Sequence, residues 1–262
     1  MPTVDLNADL GEGYGSWPGG EDAGLLGVVT TTHIACGFHA GDPAVMRATV
    51  VAAVAAGVVV GAHPSYPDLV GFGRRAMDVA PSRVADDVLY QIGALDGVAR
   101  ANGTRVRSVK AHGALYHRLA RDEACALAVA RAVAAYGTGL VLVAPAGSPT
   151  LVALRGSGVA VFTEAFCDRG YLSDGSLVGR GHDDALLTDP ARAAAQGRHL
   201  VLDHEVAAVD GGVVHLEADT LCVHGDTPGA LAIASAVRRS LEEAGVSVAA
   251  CAADEPTPRP VA

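Results

Sequence analysis

Thr3-Val-Asp-Leu-Asn-Ala-Asp-Leu10 alternates without a break, with Val4, Leu6, Ala8 and Leu10 on one side and Asp5, Asn7 and Asp9 on the other. A period of two is the mark of a β-strand, whose successive side chains point to opposite faces. On a surface strand such a polar face would be ordinary solvation. In a parallel α/β fold, however, helices cover the outer face of each strand, and the polar side must look into an interior. Buried carboxylates need partners, so this strand becomes a candidate wall of a site.

The rest of the chain supports that setting. Asp42-Pro43 places an N-cap before a proline at the first helical position, and an apolar helix follows to Gly57. Val58 to Ala62 is a short, continuously apolar run, as in a strand buried on both faces. A helix is expected from about Ser82 to Asn102-Gly103, then a strand over Val106 to His112. Asp122 caps the next helix, which ends near Gly137. Leu140 to Ala144 and Val159 to Ala165 read as further buried strands, with a short helix near Pro190. Val206 to Val209 and Val213 to Leu216, joined by Asp210-Gly211-Gly212, have the turn chemistry of a β-hairpin. Thr220 to His224 is a last strand, and Thr227-Pro228 opens a helix that ends at Gly245. Six or seven parallel strands alternating with helices make a βα barrel or a doubly wound sheet. With no linker or repeat in the series, residues 1–250 are expected to form one domain. The proline-rich tail, 251–262, reads as disordered.

Bulk composition removes several function classes. Against 29 acidic residues stand 19 basic ones, a formal charge of −10. No basic cluster is present, which argues against nucleic acid. No apolar stretch reaches the roughly 18 residues of a membrane span. The first residues have neither the basic nor the apolar region of a signal peptide. The cysteines, at 36, 125, 167, 222 and 251, include no Cys-x-x-Cys pair, which favours reduced thiols and a cytoplasmic location. One feature of the cations stands out: every one is arginine except Lys110.

Polar residues gather where the strands end, the edge at which parallel α/β folds build their sites. Five segments qualify: Asp5 to Gly13, His33 to Asp42, Gly61 to Asp68, Lys110 to Tyr116, and His224-Gly-Asp226, with Glu164 and Asp168-Arg169 as a sixth. His33 and His39, with Cys36 midway, fit no standard zinc spacing and by themselves serve equally well as hydrogen-bonded structural histidines. Lys110 and His112 lie two apart on one strand, so both side chains reach the same space. A lysine beside a histidine is commonly a solvated accident. Here the chain writes its other cations as arginine and keeps lysine at a strand end, where a compact charge with three donors suits an oxyanion, a phosphate or proton transfer. Walker-type phosphate loops and nucleophile elbows are missing from the sequence.

Asp5-Leu-Asn-x-Asp-Leu-Gly-Glu12-Gly, Ile34-Ala-Cys-Gly-Phe-His-Ala-Gly-Asp-Pro43, Gly61-Ala-His-Pro-Ser-Tyr-Pro-Asp68, Gly71-Phe-Gly-Arg-Arg75, Tyr90-Gln-Ile-Gly-Ala-Leu95, His112-Gly-Ala-Leu-Tyr116, Glu164-Ala-Phe-x-Asp-Arg169 and Ala218-Asp-Thr-x-Cys-Val-His-Gly-Asp226 together resemble the LamB/YcsF family, the A subunits of ATP-hydrolysing 5-oxoprolinases. The resemblance runs from Asp5 to about Gly245. It departs at Ala8, where the family often has Cys, and at Ala111, where it often has Pro.

The resemblance implies a seven-stranded βα barrel of the glycoside hydrolase/deacetylase type. It implies opening of 5-oxo-L-proline to L-glutamate, coupled to ATP, with Mg²⁺ accompanying the nucleotide. Two further subunits resembling carboxyltransferase-type domains are implied as partners, and a homo-oligomer is compatible with this. Chemistry and position then assign Lys110 to phosphate or oxyanion stabilisation and His63 or His112 to proton transfer. Asp9 and Glu12 are assigned to water activation or Mg²⁺. Asn7, His39, Asp42, Glu164, Arg169, His224 and Asp226 are expected to form the substrate-binding wall. Two rival readings stay open. One is a metal-dependent deacetylase of an N-acyl sugar or amide, with Asp9, His33 and His39 as metal ligands. The other is a substrate-binding subunit whose partners hold the chemistry.

Overall fold

The computed structural model describes residues 1–137 and 139–250. The alternating segment forms β1, Thr3–Leu10, and both of its faces are buried from Val4 onward. A single-turn helix α1, Asp22–Leu25, leads to β2, Thr31–Ala35. Helix α2, Pro43–Ala56, starts as expected: Asp42 accepts from the amides of Ala44 and Val45, and Gly57 ends it at φ 71°. The series continues through β3 (Val59–His63), α3 (Pro81–Ala101), β4 (Ser108–Lys110), α4 (Gly113–Leu119), α5 (Glu123–Tyr136), β5 (Val141–Pro145), α6 (Leu151–Arg155), β6 (Ala160–Phe166) and α7 (Pro190–Leu202). The hairpin is β7 (Glu205–Ala207) with β8 (Val213–His215), antiparallel as its Asp-Gly-Gly turn requires. Then come β9 (Thr220–Cys222), α8 (Ala230–Glu243) and a short β10 (Ser247–Val248). The 251–262 tail lies outside the described residues.

Strands β1 to β6 pair in sequence, all in parallel; β9 then pairs with β6 on one side and β1 on the other. Seven strands therefore close into a barrel, and the doubly wound alternative is excluded. β10 adds only to the start of β1, through Thr3↔Ser247 and Val4↔Val248. Outside, the helices bury apolar stripes against the strands. On α3 the stripe is Val84, Val88, Ile92, Leu95 and Ala99 at helical spacing; it packs against α5, and α7 packs against α8. Each fully buried Val, Leu or Ile contributes about 1.5–3 kcal/mol. Inside, Asp5 is 4%, Asn7 0% and Asp9 7% exposed, so the polar face of β1 does look into the barrel.

Asp5 lies deepest, toward the strand N-termini. It accepts from the hydroxyls of Thr30 (2.7 Å), Thr31 (2.6 Å) and Thr220 (2.5 Å). Burial nevertheless raises its pKa above the ordinary value. A raised folded pKa means that the group's contribution is complete below the unfolded value of about 3.9 and is lost as pH rises through the folded value. Asp5→Asn, which cannot titrate, is therefore expected to gain stability relative to the parent chain between about pH 4 and about pH 8. Urea unfolding at the two pH values checks this, and a difference independent of pH would contradict it.

Candidate active site

The C-terminal ends of the strands bring the chemistry together. Lys110 closes β4, is 1% exposed, and points into the barrel. Its ammonium pairs with Asp9 Oδ1 at 2.7 Å and donates to Asn7 Oδ1 at 2.8 Å, Glu164 Oε1 at 2.9 Å and Cys222 Sγ at 3.3 Å. Glu164 also accepts from Tyr116 (2.8 Å) and from Asn7 Nδ2 (3.0 Å). Burial works against a charge on Lys110, but Asp9 and Glu164 outweigh it and hold the pKa well above the ordinary lysine value. For Asp9 the same opposition is won by His63 and Lys110, which hold it well below the carboxylate range.

Beside this pair four side chains converge: Glu12, just after β1; His39, in the loop before α2; His63, the last residue of β3; and His112, at the start of α4. One ligand atom from each lies within 4.8 Å of all the others. His63 Nδ1 donates to the Lys110 carbonyl (2.8 Å), and His112 Nε2 donates to the Phe72 carbonyl (2.8 Å). That leaves His63 Nε2 and His112 Nδ1 facing each other at 3.0 Å. Phe72 reaches this position with a left-handed φ of 51°, a strained conformation of the kind that gathers at functional sites. Gly73 is required next to it, because a Cβ there would lie 2.8 Å from His112 Cδ2 and 3.0 Å from His39 Cβ. Burial, helped by the neighbouring His112, pushes His39 down to about 3. Burial also lowers His112 despite Glu12. His63 goes the other way: burial opposes its charge, but Asp9, 3.3 Å from Nε2, raises the pKa.

Above these groups opens a cavity of about 230 Å³. Asp9, His63, Lys110, His112 and Glu164 line its floor, and Arg74, Arg169, Arg180, His117 and His224 surround its mouth. Asp226 pairs with both Arg74 and Arg180. Arg169 is fixed by donation to the carbonyls of Ala185 (2.9 Å) and Val178 (2.7 Å). His224 Nδ1 faces Asp168 (3.0 Å), which also accepts from the His224 amide (3.0 Å) and the Thr227 hydroxyl (2.9 Å). The His224 ring stacks on Phe166, 5.1 Å between centroids.

The residues expected from sequence do not all share this space. Asn7 lies beneath the cavity, tying Lys110 to Glu164. Asp42 caps α2 and accepts from Gly15, so its oxygens serve the backbone. The expected metal set of Asp9, His33 and His39 is not assembled. His33 lies inside the barrel, where burial and Lys110 hold its pKa well below the ordinary value. Its ring nitrogens are within hydrogen-bond reach of Asn7 (3.3 Å) and Ser108 (3.1 Å). Gly61 makes room for it, since a Cβ there would meet His33 Cδ2 at 2.5 Å. His39 instead sits with Glu12, at 3.1 Å. Three contributors to the mouth, Arg74, His117 and Arg180, were not among the expected site residues. Arg74 could have been found, because it lies in the Gly71-Phe-Gly-Arg-Arg75 segment that helps carry the resemblance.

A closed seven-stranded βα barrel is the class of fold seen in the catalytic domain of the peptidoglycan N-acetylglucosamine deacetylase from Eubacterium rectale. That domain matches with a TM-score of 0.52 over 97% of this chain and 90% of its own, at 10% identity, a likeness of fold alone. The sequence model of the LamB/YcsF family matches residues 4–255, and the chain belongs to that family. The 5-oxoprolinase A subunit of Chloroflexus aggregans is 53% identical over 248 residues, 95% of this chain and 98% of that protein. The crystal structure of the lactam utilization protein from Thermus thermophilus covers 94% of this chain and 99% of its own, with a TM-score of 0.89 and 47% identity.

Proposed function

We propose that this chain is the A subunit of a 5-oxoprolinase and that its cavity opens 5-oxo-L-proline to L-glutamate in a reaction coupled to ATP. The observation that carries the reading is 53% identity, along nearly the whole of both chains, to a protein named for that activity. The cavity supports it. About 230 Å³ suits a five-membered lactam acid and falls below the roughly 300–1,000 Å³ taken by drug-sized ligands. The lactam belongs in this cavity, and the larger nucleotide, with Mg²⁺, meets it from the mouth, where its γ-phosphate can reach the ring.

A lactam is a poor electrophile, and ATP, as co-substrate, supplies activation by placing its γ-phosphoryl group on the amide oxygen and leaving as ADP. This chain's residues then act on the ring. Arg74 and Arg180, bridged by Asp226, receive the substrate carboxylate. Glu12, His63 and His112 hold the attacking water, and Asp9 takes its proton. The C–N bond breaks as the ring nitrogen takes a proton from His224. The acyl phosphate so formed releases inorganic phosphate to a second water. Lys110, with all three protons engaged, keeps Asp9 ionised and holds Glu164 in place.

The experiment is an assay of glutamate and ADP formation from 5-oxoproline and ATP, with the chain and its partner subunits together and separately. Glutamate formation that does not change when this chain is left out would end the proposal. Arg180→Ala is expected to raise KM for 5-oxoproline about tenfold, the loss of roughly 1.4 kcal/mol from one charge-assisted contact, with kcat nearly unchanged. An unchanged KM would remove Arg180 from substrate capture.

A further inference from the structure

We infer that Glu12, His63 and His112 form a binding site for one divalent transition-metal ion of the zinc type, open toward the cavity. Nitrogen and oxygen ligands bind zinc at about 2.0–2.1 Å, so the edges of a tetrahedral site measure about 3.3–3.4 Å. The three edges here are 3.0 Å (His63 Nε2 to His112 Nδ1), 3.2 Å (His112 Nδ1 to Glu12 Oε1) and 3.9 Å (His63 Nε2 to Glu12 Oε1). Their mean is about 3.4 Å, and two histidines with one glutamate is a donor set that catalytic zinc uses.

The outer contacts are those of a metal site as well. Metal-bound histidines donate their second ring N–H to a carbonyl or carboxylate, which fixes tautomer and direction. His63 does so to Lys110 and His112 to Phe72. Both remaining nitrogens then aim lone pairs at one point. Without a cation, a single proton must be shared between two acceptors and a carboxylate. His39 completes the support rather than the ligand set. Its ring lies flat on His112, with centroids 3.8 Å apart and planes within 7°, so its lone pair cannot converge on the same point. Its Nε2 instead donates to Glu12 Oε1 at 3.1 Å. The other grouping of ligand-type atoms, Asp9, Cys222 and His224, is unsuited to a cation, because the Lys110 ammonium lies 2.7 Å from Asp9 and 3.3 Å from Cys222.

Binding of the ion follows from these distances and does not depend on the ring-opening reading. Its use does: an ion here would lower the pKa of the attacking water, with Asp9 Oδ2, 3.3 Å from His63 Nε2, beside it to take the proton.

The test uses the full chain, stripped with a chelator and titrated with Zn²⁺ and then Co²⁺. Bound metal is counted by elemental analysis and geometry is read from the cobalt absorption. One equivalent is expected, with a tetrahedral cobalt spectrum and a rise in Tm on adding Zn²⁺. Glu12→Gln and His112→Gln are expected to lose it, and His39→Ala to weaken it about 10–100-fold. Absence of stoichiometric binding to the folded parent chain overturns the site. Binding that survives both ligand substitutions does the same, and if those variants fail to fold, the parent chain's stoichiometry and cobalt spectrum decide. One bound equivalent without glutamate formation in the coupled assay would leave the site standing and sink the ring-opening reading.

Discussion

Lys110→Met is expected to cost about 3–5 kcal/mol of stability and to abolish coupled glutamate formation. The size follows from what is left behind. Asp9 and Glu164 are 7% and 1% exposed, and Lys110 is the cation between them. Removing one partner of a buried ion pair strands the other charge, which is far worse than replacing the whole group with apolar residues. Lys110→Arg separates charge from shape. Its guanidinium keeps the charge but is planar and larger, and the space is closed by Asn7 (2.8 Å) and Cys222 (3.3 Å). Displacing Asp9 from its place over the cavity floor is expected to lower kcat by at least about 100-fold, since roughly 1 Å of misplacement costs that much. Denaturant midpoints measure the first effect and the coupled assay the second. Full turnover in Lys110→Arg would show that neither the three-proton geometry nor the compactness of lysine matters.

How much of this could be read beforehand depended on local signals. The alternation in β1 was enough to predict an inward polar face, because period two and burial on both sides leave no other place for Asp5, Asn7 and Asp9. Lys110 stood out because composition made it unique. Strand β2 gives no such signal: Thr31, Thr32 and His33 form no apolar run, and only the closed barrel, which buries all three, gives them a reason to be there. Closure itself has no local sequence signal. It depends on β9 pairing with β1 and β6 across about 215 and 55 residues, so the strand pattern alone suits a barrel and an open sheet equally, and the family resemblance is what points to the barrel. The site shows the same limit. His33 and His39 are neighbours in sequence, but one is inside the barrel and the other on a loop above it. Arg180 comes from a segment without regular pattern, and nothing local says that this segment folds over the mouth.

Asp168→Asn is expected to lower kcat by about 10²–10⁴ with KM for 5-oxoproline and Tm little changed. Asp168 is 0% exposed and does not itself line the cavity; the lining side chain it contacts is His224, so its effect passes through that ring. Burial works against its charge, but His224 and the donors around it hold the pKa below the ordinary carboxylate value. Its oxygens lie 3.0 and 3.2 Å from His224 Nδ1, so the carboxylate accepts the Nδ1 proton, supports the charge of a ring that also carries the donated proton on Nε2, and turns Nε2 to the cavity. An asparagine can still accept from the His224 amide and Thr227, so the loop should stay in place. Its neutral amide, with NH₂ facing Nδ1, would no longer support the doubly protonated ring that gives up the proton, and losing the carboxylate behind a catalytic histidine costs rate in about this range. A structural role alone would lower Tm and raise KM together, whereas a positioning role lowers kcat while both hold. If kcat stayed within about threefold of the parent value, His224 would need no orienting carboxylate and the proton for the leaving nitrogen would have to come from elsewhere.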